Sequence, residues 1–248
     1  MYPKLSIQHL SKSFSDLHVF NDISLQVNNH EFVSVIGPSG CGKSTLFHIL
    51  AGIEKQSSGE IFIDQKNVQS RKGKFGYMPQ NASLLPWKTV LENVMLGPIV
   101  LGKSKEAAKE EAYAFLKKFN LFDFADHFPE TLSGGMQQRV ALLRTVLFHP
   151  SFLLLDEPFG SLDALTRHEA QMWLLSVYHN VKSSILFITH DIQEAILLSD
   201  RIYVMSSRPA LIVQEIKVEL PRKRTLLDLT SSHAVSLERK LLSLLTKK

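Results

Sequence analysis

Residues 37–44 read GPSGCGKS and match the pattern G-x-x-x-x-G-K-[ST], which is typical of phosphate-binding loops. Glycines at these positions let successive backbone N–H groups turn inward on an anion, and a helix that begins near Lys43 adds its positive N-terminal end. The lysine of the pattern reaches the β- and γ-phosphates, and the hydroxyl of Ser44 binds Mg²⁺. Because an apolar strand pattern precedes the stretch and an apolar helix pattern follows it, the sequence predicts a nucleotide site here.

Two carboxylates, Asp156 and Glu157, follow the apolar run at 152–155. In parallel sheets ligands gather at the carboxyl ends of the strands, so this pair is expected near the bound nucleotide. Asp156 is suited to hold the Mg²⁺ shell, and Glu157 is suited to take a proton from an attacking water. An Asp-Glu pair after a strand also fits a solvated turn, but a phosphate-binding loop in the same chain favours the catalytic interpretation.

Two further stretches could meet phosphate. His190 follows the apolar run at 185–188 and is a candidate sensor of the γ-phosphate, with a polar strand cap as the structural alternative. The stretch LSGGMQQR at 132–139 precedes a helix expected to begin near Met136, whose N-terminal partial charge also suits an anion. One chain therefore has two openings that could face phosphate.

The apolar patterning predicts the elements that position these residues. Near-continuous apolar runs, typical of parallel strands covered on both faces, occur at 33–36, 152–155, 185–188 and 202–205. Helical stretches separate most of them, which indicates the α/β class. The clearest amphipathic helix spans 104 to about 119 with Ser104 as its cap. No strand pattern is evident from about 82 to 150, so a mostly helical lobe is expected there.

Composition and charge exclude several classes of protein. The 248 residues are 44% hydrophobic and 21% charged, as in a folded domain, and no run reaches the roughly 18 apolar residues of a membrane span. The net charge of +4 is concentrated after residue 216, where eight Lys/Arg stand against three Asp/Glu. This basic end is expected to be solvated, with weak attraction to anionic lipid as the alternative, and it does not indicate a nucleic-acid partner.

With its motifs in order, the sequence closely resembles the nucleotide-binding subunits of ABC transporters from about residue 4 to 224. The motifs are GPSGCGKST at 37–45, MPQ at 78–80, LSGGMQQR at 132–139, FLLLDEP at 152–158, SLD at 161–163 and ITHD at 188–191. The resemblance implies a P-loop NTPase of the ABC type, with a core parallel sheet, an antiparallel β subdomain and an inserted helical subdomain at about 82–150. It also implies an ATP-binding domain at 1–224 and a basic helical tail at 225–248.

The resemblance also implies roles for individual residues. Phe14 is expected to stack on adenine, with Phe20 the less suited alternative, and Gln80 is expected to approach Mg²⁺ and sense the helical subdomain. The other expected ATP contacts are Gly37, Pro38, Ser39, Gly40, Cys41, Gly42, Lys43, Ser44, Thr45, Ser133, Gly134, Gly135 and Asp163. The expected catalytic residues are Glu157, His190, Lys43 and Gln80, and the expected Mg²⁺ ligands are Ser44, Gln80 and Asp156.

The same resemblance explains the two phosphate-facing openings. In this family the LSGG motif of one subunit closes over ATP held by the phosphate loop of another, so the openings are halves of different sites. The implied partners are a second copy of this chain, integral membrane permease subunits and, indirectly, an extracytoplasmic substrate-binding protein. The implied location is the cytoplasmic face of the cell membrane.

The stretch LLPW at 84–87 is an apolar patch suited to receive a short permease helix, with packing inside the helical lobe as the alternative. This stretch and the residues at 208–224 resemble the importers of nitrate, sulfonates, taurine and thiamin-pyrimidine precursors. Two other classes remain as alternatives. One is a non-transport ABC ATPase that acts in translation or on DNA, and the other is a regulatory ATP-binding scaffold without turnover, which the presence of Glu157 and His190 opposes.

The single cysteine, Cys41, lies inside the phosphate-binding loop near a helix N-terminus. Such a setting is expected to favour the thiolate, so alkylation should block ATPase activity and bound ATP should protect. The alternative is that a small residue simply fits the turn.

Overall fold

A computed structural model describes residues 2–70, 73–148, 151–160, 162–181, 183–222 and 224–246. Ser161 of the SLD motif and Lys223, Lys247 and Lys248 of the basic C-terminal segment lie outside the described residues. The chain forms two compact units, one composed of Met1–Phe75 and Ser183–Lys248 and the other of Gly76–Lys182. Among the described residues, no helix combines the length and apolar character needed to cross a bilayer.

The strands in chain order are β1 (Leu5–Phe14), β2 (Leu17–Val27), β3 (Phe32–Ile36), β4 (Ser58–Ile63), β5 (Lys66–Asn67), β6 (Gly76–Met78), β7 (Phe152–Asp156), β8 (Ser184–Ile188), β9 (Arg201–Met205) and β10 (Ile212–Lys217). The α-helices are α1 (Lys43–Leu50), α2 (Val90–Val100), α3 (Lys105–Lys118), α4 (Gly134–Phe148), α5 (Ala164–Val181), α6 (Ile192–Leu198) and α7 (Ser232–Thr246). Short 3₁₀ turns occur at Phe122–Phe124, Pro129–Thr131 and Leu226–Thr230.

The first unit contains an antiparallel sheet and a mixed sheet. The antiparallel sheet has the strand order β2-β1-β4-β5. In the mixed sheet, β3 pairs in parallel with β8 and with β9, and β10 pairs antiparallel with β9. Every residue of β3 and β8 is buried, which confirms the predicted strands at 33–36 and 185–188 and their cover on both faces. The predicted strand at 202–205 is confirmed by β9.

The C-terminal segment packs one face into the core of the first unit. Ala234, Leu237 and Leu241 of α7 are buried against a cluster that includes Ile36 and Ala195. The expectation of a solvated C-terminal end is therefore wrong for the inner face of α7, because its apolar residues recur at helical spacing.

Arg224, at the start of that segment, is also buried, with 4% of its surface exposed. Its guanidinium donates to the backbone carbonyls of Ile196 and Ser199 at the C-terminal end of α6, where a cation complements the helix dipole. One of the basic residues that the charge count assigned to solvent is thus a buried structural contact.

The second unit pairs β6 in parallel with β7, and the predicted strand at 152–155 is confirmed. Between these strands the described residues form α2, α3, α4 and two 3₁₀ turns, with no strand among them. The predicted amphipathic helix is α3, and the hydroxyl of Ser104 accepts the backbone N–H of Ala107 at 3.2 Å as its cap. The helix expected near Met136 begins two residues earlier, at Gly134, because the Ser133 hydroxyl accepts the N–H of Met136 at 3.3 Å and caps it there.

Candidate nucleotide site

The phosphate-binding loop connects the buried strand β3 to the helix α1 in the first unit. Gly40 and Gly42 have φ values of +75° and +118°, in the left-handed region that residues with a Cβ rarely adopt. A Cβ on Gly42 would also lie 2.6 Å from Val19 Cγ1. The loop therefore needs glycine at these positions, and a glycine-rich loop of this kind can turn backbone N–H groups toward a polyphosphate.

Lys43, the first residue of α1, turns its ammonium back into this loop. Its Nζ donates to the carbonyls of Gly37 at 2.9 Å and Pro38 at 3.0 Å, and the residue is 5% exposed. A buried cation inside a cradle of N–H groups makes the loop strongly electropositive. This geometry suits the γ-phosphate role that the sequence motif predicts for Lys43.

Cys41 is buried in the same loop, with 2% of its surface exposed and its Sγ 4.0 Å from Lys43 Nζ. Burial raises the pKa of this thiol, and the opposing effect of the Lys43 charge is smaller. The expectation that the loop favours the thiolate is therefore wrong, because the cost of placing a negative charge on a buried thiol exceeds the stabilisation of that charge by Lys43.

His190 is exposed at the carboxyl end of β8, and its neighbours are anchored. The hydroxyl of Thr189 donates to the Glu194 carboxylate at 2.6 Å and accepts the backbone N–H of Asp191 at 3.0 Å. Asp191 in turn caps α6 by accepting the N–H groups of Gln193 and Glu194. The backbone on either side of His190 is thus fixed by hydrogen bonds, and its expected role as a sensor of the γ-phosphate stays a prediction.

Phe14 ends β1 and is 42% exposed, whereas Phe20 is 1% exposed. A buried ring has no free face for a base, so Phe14 is the one of the two aromatic residues that can stack on adenine.

The acid pair lies at the end of β7 in the second unit. Asp156 is the last strand residue and is 3% exposed. Burial of Tyr77, with a smaller contribution from the Asp156 charge, raises the pKa of that tyrosine. Glu157 follows with a φ of 43°, a strained conformation for a residue with a side chain. Its Oε2 accepts a hydrogen bond of 3.2 Å from Gln80 Nε2. Two of the expected catalytic residues, Gln80 and Glu157, are therefore in direct contact.

The signature stretch forms the N-terminal end of α4. Ser133 and Gly134 are exposed, while Gly135 is buried against α5, where an added Cβ would lie 2.2 Å from Thr166 Cγ2. Gln137 fixes the turn from behind, since its amide donates to the carbonyls of Pro129 at 3.0 Å and Leu132 at 3.3 Å. The start of α4 is therefore held in place and is exposed at Ser133 and Gly134, and a helix N-terminus suits an anion.

Asp163 serves as a helix cap in this structure. Its Oδ1 accepts the backbone N–H groups of Leu165 and Thr166 at 3.1 Å each, at the start of α5. Hydrogen bonds from Thr166 lower the pKa of Asp163 and keep it ionised. Its expected role between subunits stays a prediction.

The donor set fits Mg²⁺ better than a transition metal. Ser44, Gln80 and Asp156 offer hydroxyl, amide and carboxylate oxygens, which are hard ligands. No group of three or more His, Cys, Asp or Glu side chains among the described residues could hold a metal ion. Ser44 belongs to the first unit and Gln80 and Asp156 to the second, and their joint binding of one Mg²⁺ ion stays a prediction.

The loop after Gln80 is held by two residues that the sequence patterns did not single out. Asn93 is fully buried. Its Oδ1 accepts the backbone N–H of Leu85, and its Nδ2 donates to the carbonyls of Leu85 and Lys88. Arg144 donates to the carbonyls of Ala82 and Ser83 at 2.9 Å. An amide within the apolar helix VLENVML was the available signal for Asn93.

This anchoring leaves Trp87 70% exposed at the tip of the loop. Beside it, residues 81–84 and Pro86 line one side of a groove of about 440 Å³, and Gly134 and Gln137 line the other. The second unit therefore presents an open groove between the loop after Gln80 and the start of α4.

The loop, the acid pair and the signature turn define an ATP-binding cassette of the ABC type. The family profile of ABC transporters matches residues 20–160, and the chain belongs to this family as its ATPase component. The predicted fold class and family membership are confirmed.

Individual relatives extend over most of the chain. An uncharacterized ABC transporter ATP-binding protein of Methanocaldococcus jannaschii is 40% identical over 99% of this chain and 92% of its own length. The aliphatic sulfonates import ATP-binding protein SsuB of Bacillus cereus is 42% identical over 89% of this chain and 88% of its own. The dimeric structure of the ABC transporter cassette MJ0796 is 30% identical with a TM-score of 0.75, covering 88% of this chain and all of that one. A second structure of MJ0796, in a post-hydrolysis state with ADP and Pi, has a TM-score of 0.74.

Proposed function

We propose that this chain is the ATP-hydrolysing subunit of an importer for a small solute, of the nitrate, sulfonate or taurine type or a thiamin-pyrimidine precursor. It acts as a dimer on integral permease subunits at the cytoplasmic face of the membrane, and an extracytoplasmic binding protein delivers the solute. The identity of 42% to a protein named for aliphatic sulfonate import supports the importer branch. The 70% exposed Trp87, at the tip of the anchored loop, supports a permease surface.

The observation that bears most directly on the mechanism is the hydrogen bond of 3.2 Å between Gln80 Nε2 and Glu157 Oε2. Gln80 immediately precedes the loop that contains Trp87, so a permease contact on this loop is transmitted to the catalytic base through one side chain. Glu157 accepts a proton from the attacking water, and the held orientation of its carboxylate keeps it ready for that step.

The remaining residues bind and orient the nucleotide. Lys43 and the loop N–H groups hold the β- and γ-phosphates, His190 contacts the γ-phosphate, and Phe14 stacks on adenine. A Mg²⁺ ion, bound by Ser44, Asp156 and Gln80, neutralises charge on the phosphates. Ser133, Gly134 and Asp163 of a second copy complete each site, so ATP holds the dimer together until hydrolysis removes the terminal phosphate.

The test is co-purification of the tagged chain from its native membrane, with mass identification of the attached proteins. The expected result is one multi-span permease together with an extracytoplasmic binding protein. A thermal-shift screen of that binding protein against nitrate, taurine, alkanesulfonates and aminopyrimidines then identifies the solute class.

A Trp87→Ala variant provides the matched control, since its ATPase activity should persist while permease recovery falls. Recovery of translation factors or DNA-maintenance proteins in place of a permease contradicts the transport role.

A further inference from the structure

Lys12 lies directly behind the expected adenine platform. Its Nζ stands 4.1 Å from the centroid of the Phe14 ring, within the range of a close cation–π contact. The lysine is 7% exposed, whereas Phe14 is 42% exposed. The ammonium therefore lies against one face of the ring, while much of Phe14 stays exposed to solvent.

The ammonium is held in this position by two further contacts. Nζ donates to Glu54 Oε1 at 2.9 Å and to the backbone carbonyl of Lys55 at 2.9 Å. The hydrogen bond from Lys12 also lowers the pKa of Glu54, which stays charged at neutral pH. The contacts with Glu54 and Lys55 thus hold the Lys12 ammonium against the Phe14 ring.

From this geometry we propose that Lys12 is a positioning residue for the adenine base, acting through Phe14. The inference rests on the proposed stacking role of Phe14 and extends it to the residue that shapes the platform. Lys12 fixes the ring orientation, and its charge draws electron density from the ring. Withdrawal of that density makes the open face less negative, which reduces its repulsion with the electron-rich face of a purine.

The inference predicts a change in nucleotide affinity without a change in the chemical step. Lys12→Met keeps the length of the side chain and removes its charge, so the dissociation constant for Mg-ADP should rise about five- to tenfold. Since Lys12 is proposed to act on the adenine base and not on the phosphates, KM for ATP should rise by a similar factor while kcat is retained.

The experiment is isothermal titration calorimetry of the full chain with Mg-ADP, arranged as a double-mutant cycle with Phe14→Ala. If Lys12 acts through the ring, Lys12→Met weakens binding in the parent and adds no loss in the Phe14→Ala background. Lys4→Met is the matched control, because Lys4 forms an ion pair of the same 2.9 Å with Asp64 and no stacked aromatic ring accompanies it among the described contacts. Its affinity for Mg-ADP should equal that of the parent.

Glu54→Gln removes the charge of one group that holds Lys12, while its amide oxygen can still accept the hydrogen bond from Nζ, so the affinity for Mg-ADP should stay within about twofold of the parent. Lys12→Arg, which keeps the cation over the ring, should restore most of the affinity.

Three outcomes overturn the inference about Lys12 and leave the stacking role of Phe14 in place. In the first, Lys12→Met lowers the affinity for Mg-ADP equally in the parent and in Phe14→Ala, and in the second it does not lower the affinity at all. In the third outcome, Glu54→Gln lowers the affinity as much as Lys12→Met does. Unchanged affinity in Phe14→Ala by itself overturns the stacking role of Phe14 and the inference with it.

Discussion

Replacement of Glu157 by glutamine tests its proposed role as the catalytic base. The side chain keeps its length, and its amide oxygen can still accept the 3.2 Å hydrogen bond from Gln80 Nε2. The φ of 43° at this position is equally accessible to Glu and Gln. The substitution therefore removes the ability to take a proton from water and little else.

The expected magnitude follows from these contacts. A positioned general base contributes about 10²- to 10⁴-fold to a rate, so phosphate release by Glu157→Gln should fall by about that factor. ATP binding should be no weaker, since the loop of Gly40, Gly42 and Lys43 lies in the other unit and is unchanged. Because hydrolysis no longer removes the terminal phosphate, a stable dimer should accumulate with Mg-ATP.

The assay combines phosphate release with size-exclusion chromatography in the presence of Mg-ATP or Mg-ADP. Glu169→Gln is a matched control in the same unit, because Glu169 is an exposed carboxylate paired with Arg139 at 3.1 Å. It should hydrolyse ATP at the parental rate. Parental hydrolysis by Glu157→Gln would refute the assignment of the base. A trapped variant that stays monomeric at saturating Mg-ATP, even when bound to its permease, would refute the shared site.

Three further predictions concern the loop and the helices. Lys43→Ala should weaken ATP binding about 10- to 100-fold, because charge-assisted contacts to phosphate are lost, and unchanged affinity in a calorimetric titration would contradict its role. The raised pKa of Cys41 makes the thiolate scarce at neutral pH, so maleimide alkylation should be at least about tenfold slower in the folded chain than in the unfolded chain. Alkylation of the folded chain should accelerate as the pH rises toward that pKa. Equal rates in the folded and unfolded chains would contradict the raised pKa. Gly97→Ala should destabilise the chain by about 1–3 kcal/mol in denaturant unfolding, since an added Cβ would lie 2.6 Å from the backbone N of Phe148. Gly134→Ala, whose Cβ would lie 3.6 Å from Leu162 Cδ2, is the matched control and should change stability by no more than about 0.5 kcal/mol.

Local patterns were sufficient for the motifs and for the four strands with near-continuous apolar runs. The apolar runs around the loop and the acid pair became β3 and β7, because a strand buried on both faces must be apolar at every position. The start of α1 at Lys43 and the cap of α3 at Ser104 also depend on neighbouring residues and were predictable. Helix α4, expected to begin near Met136, begins at Gly134, because the Ser133 hydroxyl caps it there.

Local patterns do not predict contacts between residues that are far apart in the sequence. Lys12 and Glu54 are 42 positions apart, and nothing in either local sequence indicates that the ammonium is held over the ring of Phe14. The direction in which the pKa of Cys41 shifts likewise depends on how deeply packing buries the thiol. The motif indicates only the nearby helix N-terminus and lysine.

The sequence by itself determined which chemistry the chain performs, because phosphate, Mg²⁺ and water activation each require particular residue types at a fixed local spacing. Tertiary structure decided which side chains contact the residues expected to perform it: Gln80 contacts Glu157, Lys12 contacts the Phe14 ring, and Asn93 bonds the backbone of the loop that contains Trp87. These contacts depend on burial and on distances across the fold, which are properties of packing rather than of neighbouring residues in the chain.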